Sequence, residues 1–98
     1  MLVLPIKKKW FDMIKSGEKK EEYREIKSYY DSRFSKYNVR ADYYNELGEI
    51  IFRNGYSKKS PSIKCKCEIA YDYGKKEWGA EPNKLYYVLK ILSVKEIK

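Results

Sequence analysis

Histidine is absent from this chain, and cysteine, tryptophan and proline are scarce, with two, two and three residues among 98. Without histidine, Ser–His–Asp and Cys–His catalysis are excluded, and zinc loses its commonest nitrogen ligand. The cysteines stand as Cys65-x-Cys67, whereas a zinc half-site calls for Cys-x-x-Cys and a second ligand pair. No metal and no cofactor are therefore expected. No apolar run is long enough to span a bilayer, and no segment has the pattern of a secretory leader. The expectation is a soluble, cytoplasmic protein with no membrane partner.

Positive charge and tyrosine are in excess. Lysine and arginine number 22 against 14 acidic residues, a net charge of +8. A chain of this length forms one domain, residues 1–98, with a modest core. A strongly basic surface attracts polyanions, nucleic acid above all. Each of the 11 tyrosines offers an apolar body and a wet tip. Most belong at the edge of the core, and a few can serve as stacking platforms for bases.

Periodicity orders the chain into elements. Leu2–Ile6 is a short apolar strand that Pro5 confines to an edge or an end. Lys8–Ser16 sets Trp10, Phe11, Met13 and Ile14 at helical spacing, with Gly17 just past the end. Lys20–Ile26 reads as a second strand. Ser28-x-x-Asp31 resembles a capping box, and Tyr30, Phe34 and Tyr37 then predict a helix of about ten residues. Ala41–Gly48 is expected to make one helical turn with Tyr44 and Leu47 inward. Glu49–Arg53 is a strand ended by the turn signal Asn54-Gly55, and Ser57–Ser62 is a basic loop. From Ile63 to Tyr71, Ile63, Cys65, Cys67 and Ile69 alternate with Lys64, Lys66, Glu68 and Ala70. Both thiols therefore belong to the apolar stripe of a strand. Leu85–Glu96 is the other long strand, and Asp72–Lys84 is a loop holding Trp78. The sum is an α+β fold of about five strands and two helices, compatible with a small closed β-barrel.

The densest chemistry lies in Gly17–Arg24, GEKKEEYR. On an extended strand Lys20, Glu22 and Arg24 share one face, with Glu21, Tyr23 and Glu25 on the other. A bend at Gly17-Glu18 brings the Lys19 amine toward Glu22. Three readings fit such a set. It can be an ion pair bracing the corner between helix and strand. It can bind a nucleotide, with Arg24 forking onto phosphate or a base edge. It can catalyse, pairing a lysine of lowered pKa with a carboxylate, and Glu68 or Glu77 can supply a second carboxylate.

The pattern Gly17-x-Lys19-x-x-Glu22-x-Arg24 follows Leu4-Pro5-Ile6-Lys7 and a helix carrying Trp10–Ile14. In this setting it resembles the ASCH domain family. The Phe52–Tyr56 and Glu77–Glu81 blocks are similar to those of small bacterial and phage-type members. The resemblance implies a PUA-like small β-barrel with a ligand cleft between the first helix and the barrel. It implies RNA or a nucleotide-like molecule as the partner. A small bacterial relative hydrolyses the amide of N4-acetylcytidine with a Lys-x-x-Thr arrangement. Here Lys19 fits, but Glu22 stands where the hydroxyl should be, so that mechanism does not carry over cleanly. Ribonuclease activity is the other enzymatic option, with Lys19 and Glu22 as the catalytic pair.

Other positions extend the site. Lys7, Lys8 and Lys9 lie where the first helix begins, and cations there oppose the helix dipole. That placement fits either a nearby anion or a solvated basic turn. Arg53, Tyr56, Lys58 and Lys59 are binding candidates around a turn that Asn54-Gly55 serves mainly to make. Trp78 either caps a cleft or plugs the barrel, and Trp10 belongs to the core. The expected ligand contacts are Lys7, Lys8, Lys9, Lys19, Glu22, Arg24, Arg53, Tyr56, Lys58, Lys59 and Trp78. A third reading is a protein-interaction adaptor presenting Tyr29, Tyr43 and Tyr44.

Overall fold

The computed structural model describes residues 1–97, and Lys98 lies outside them. Its elements are β1 (Leu2–Pro5), α1 (Lys8–Lys15), β2 (Glu21–Arg24), α2 (Ser28–Phe34), β3 (Asn45–Arg53), β4 (Ser62–Tyr73) and β5 (Leu85–Glu96). The strands form one sheet in the order β1-β3-β4-β5-β2, with β1 parallel to β3 and the other pairs antiparallel. The sheet curls into a half-barrel around Leu4, Ile50, Phe52, Ile63, Cys65, Cys67, Ile69 and Leu89, and Ile14 of α1 and Phe34 of α2 complete this core. On the opposite face of the sheet Ala80, Tyr86 and Val88 form a smaller cluster with Tyr23 and Tyr44.

The elements arise where the side chains can be buried. α1 buries Phe11 and Ile14 and ends at Ser16, whose N–H returns to the Asp12 carbonyl. Gly17 follows at φ +86°, a left-handed conformation that favours glycine. In β4, Ile63, Cys65, Cys67 and Ile69 are fully buried, as the period of two requires. Both thiols are free, and burial pushes that of Cys65 up to about 12. Among the described residues no helix is long and apolar enough to cross a membrane. Nor does any group of three or more metal-binding side chains occur among them.

Three expectations change. The sheet is not a closed barrel: β1 and β2 are its edges, and no backbone ladder joins them among the described residues. Both edge strands are only four residues long, and Pro5 has no N–H to offer a neighbour. Ala41–Gly48 makes no helical turn, because β3 already begins at Asn45. A bulge between Glu46 and Gly48, with Gly48 at φ +90°, turns both Leu47 and Ile50 into the core and so hides the period of two. The start of α2 carries no side-chain cap; the Asp31 carboxylate instead accepts the Tyr87 hydroxyl. The Asn54-Gly55 turn leads into a loop, as expected, and β4 begins at Ser62.

Candidate functional site

The charged corner is closed on itself. The Lys19 N–H donates to the Met13 carbonyl at 2.9 Å, folding the chain across the end of α1. The Lys19 Nζ donates to the Trp78 carbonyl at 2.6 Å and lies 3.4 Å from Glu22 Oε1. The same ammonium lies 4.8 Å from the Trp10 ring centroid and 4.7 Å from that of Tyr23. Glu22 Oε2 accepts Arg24 Nε at 2.9 Å and lies 2.8 Å from Nη2. Arg24 further donates from Nη1 to the Tyr30 hydroxyl at 3.1 Å and from Nη2 to the Pro5 carbonyl at 2.8 Å.

Lys19, Glu22 and Arg24 are all buried. Buried charges persist only when paired and hydrogen-bonded, and no buried side-chain polar atom among the described residues lacks a partner. Burial lowers the Lys19 pKa, while the Glu22 carboxylate beside it works in the opposite sense. The set also does mechanical work. Arg24 reaches from β2 to β1 where the sheet has no ladder, and Lys19 ties the corner to the loop holding Trp78. Lys20 precedes β2 and is exposed, so it stands apart from Glu22 and Arg24.

The gap between β1 and β2 opens into a cleft of about 370 Å³. Pro5, Ile6 and Lys7 line one side, Arg24 and Tyr30 another, and Asn54, Gly55 and Tyr56 the lip. A second hollow of about 250 Å³ shares Pro5, Ile6, Lys7 and Arg24 and adds Trp10 and Glu22. Of α1 itself, only Trp10 lines either hollow, and it lines the smaller one.

Each wall is held in place. Tyr30 stacks on buried Phe34 at 12° and 6.0 Å between centroids. Asn54 donates from Nδ2 to the Ile6 carbonyl at 3.0 Å and from its N–H to the Pro61 carbonyl at 2.9 Å. Gly55 sits at φ +131°, and a Cβ there would collide with the Ser60 side chain. Tyr56, by contrast, is 94% exposed at the lip. An aromatic ring left so open is free to take a planar partner.

The expected contacts separate into groups. Lys7, Arg24 and Tyr56 meet in the larger cleft, and Glu22 lines the smaller hollow with Lys19 enclosed behind it. Lys8 pairs with Asp12 at 2.7 Å, and Lys9 lies 4.6 Å from the Trp10 centroid; neither lines a cleft. Arg53 donates to Ser62 Oγ at 3.1 Å and lines neither hollow, since the neighbouring inward position of β3 is Phe52. Lys58 and Lys59 are exposed on the loop beyond Tyr56. Trp78 contributes its backbone carbonyl to Lys19 and lines neither hollow. Tyr29 and Tyr43 are exposed, but Tyr44 packs with the Val88 cluster and donates to Asp72 at 2.8 Å.

Tyr30, Trp10 and Asn54 were missed as cleft residues. Helical spacing marks Tyr30 as a helix residue and Trp10 as core, and both do pack against the core, while the turn signal absorbs Asn54. No family model, no curated protein and no solved structure matches this chain.

Proposed function

We propose that the chain binds RNA or a nucleotide-like ligand in the cleft between the start of α1 and the open side of the half-barrel. The observation carrying this reading is Tyr56, 94% exposed at the lip of a cleft that also holds Tyr30, Arg24 and Lys7. Aromatic rings beside cations suit bases and phosphates together. A volume of about 370 Å³ lies within the range of small-ligand sites. The net charge of +8 adds long-range attraction for a polyanion. The resemblance of Gly17–Arg24 to ASCH domains, with their PUA-like barrel, supports the same ligand class.

The test is fluorescence anisotropy of a labelled single-stranded RNA at low and high salt. Binding weakens steeply with salt, and Tyr56→Ala weakens it more than Lys76→Ala, a change at an exposed position outside both hollows. Equal loss in both variants leaves only non-specific charge. A second reading, an enzyme acting on RNA or a modified nucleoside, rests on Glu22 reaching the smaller hollow with Lys19 behind it. Metal-independent cleavage of an RNA panel, lost in a folded Glu22→Gln variant, supports it. Cleavage that survives this substitution removes it.

A further inference from the structure

The aromatic wall of the cleft continues past Tyr30 along α2. Tyr29 stands beside it edge-on, at 83° and 4.9 Å between centroids, and is 47% exposed. One helical turn on, the Arg33 guanidinium carbon lies 3.5 Å from the Tyr29 ring centroid, at stacking distance. Its Nη1 donates to the Tyr29 carbonyl at 2.9 Å. Ring and carbonyl together fix the guanidinium, so little side-chain entropy remains to be lost on binding. Among the described residues Arg33 has no acidic partner.

A second pair of the same kind shows why that matters. Arg40 lies 4.6 Å from the Tyr43 centroid, yet Asp42 takes its Nε at 3.1 Å and its Nη2 at 3.0 Å. That cation is neutralised by its own neighbour. Arg33 keeps its charge and its remaining N–H donors, on the same helix as the Tyr30 that walls the cleft.

Resting on the RNA or nucleotide reading of the cleft, we propose that Tyr29 and Arg33 form a second station. The ligand is then a single-stranded stretch of nucleic acid rather than a mononucleotide. One nucleotide occupies the cleft between Tyr30 and Tyr56. The next lies over α2, its base on the Arg33–Tyr29 stack or its phosphate on the free N–H edge of Arg33. A duplex does not fit, because its bases are stacked on one another and cannot splay onto side chains.

The experiment compares two ligands on the full chain: UMP, and a single-stranded oligouridylate of about eight nucleotides. The double variant Tyr29→Ala/Arg33→Ala should weaken the oligomer by about tenfold and leave UMP binding unchanged. Arg33→Lys, which keeps the charge and loses the plane, should cost part of that loss. Circular dichroism checks that α2 persists in each variant. Unchanged oligomer affinity in the double variant overturns the second station while the cleft reading stands. An equal loss for UMP overturns it too, since α2 would then only support the cleft. Binding of a duplex as tight as that of the single strand likewise overturns it. Wild-type protein that binds neither ligand removes the cleft reading and this inference together.

Discussion

Two neighbouring regions use the same kinds of side chain to opposite ends. Behind Glu22, Lys19 and Arg24 spend their charges on one carboxylate, two backbone carbonyls and a phenol, and all three charged residues are buried. In front of it, the exposed Lys7 and the exposed Tyr56 stand at the open cleft. The difference teaches that charge density in a sequence does not locate a binding surface. On the proposed reading, what locates it is charge left unspent once the chain has folded. The buried set builds the wall, and in the proposed function the exposed residues meet the ligand.

Breaking the buried side should have the largest effect. Glu22→Leu leaves two buried cations without their carboxylate, at a cost of about 3–5 kcal/mol. Urea unfolding should show most of the domain's stability gone, or no folded protein at all. Glu25→Ala provides the contrast. That exposed carboxylate pairs with Lys84 and Lys27, and its loss should barely move the midpoint. Similar losses in the two variants would mean that the buried carboxylate does no more for stability than an exposed one.

Alkaline pH offers a gentler probe of the same interior. Burial raises Cys65 to about 12 from an ordinary 9.0 and also raises Cys67. It raises Tyr23, Tyr44 and Tyr87 above their ordinary 10.0. The unfolded chain releases these protons first, so the stability present below pH 9.0 is lost as pH climbs through the raised values. Lys19, lowered from 10.5 by burial, acts the other way, since its folded form releases its proton first, and it opposes five raised groups. The thermal midpoint should therefore fall between pH 9.0 and strongly alkaline conditions. A rising midpoint would mean these groups are not buried.

A smaller signal comes from thiol labelling at mildly alkaline pH. Cys65 and Cys67 have no exposed surface, and the thiolate is the reactive form. Neither should react until urea unfolds the chain, and prompt labelling of the folded protein would contradict the core described above.

Much of this architecture is legible in the sequence. The alternation of Ile63, Cys65, Cys67 and Ile69 marks β4, and the helical spacing of Phe11 and Ile14 with Gly17 after it marks α1. β3 is partly hidden, because the bulge at Gly48 breaks its period. The contact between Lys19 and Glu22 follows from the bend after Gly17, and the structure makes it at 3.4 Å. The closure of that set is not legible. It depends on Trp78 and Pro5 carbonyls that only the tertiary fold brings near, and backbone carbonyls carry no residue signature. For the same reason sequence cannot separate Lys7, which faces the cleft, from Lys8 and Lys9 beside it.

The most direct test of the contrast between spent and unspent charge is a heteronuclear NMR titration of the full chain with UMP. The largest shifts should fall on Lys7, Tyr30, Asn54, Gly55 and Tyr56, while the buried Lys19 ammonium keeps its partners. Shifts scattered over exposed lysines such as Lys58, Lys66 and Lys76, with the cleft unmoved, would contradict it.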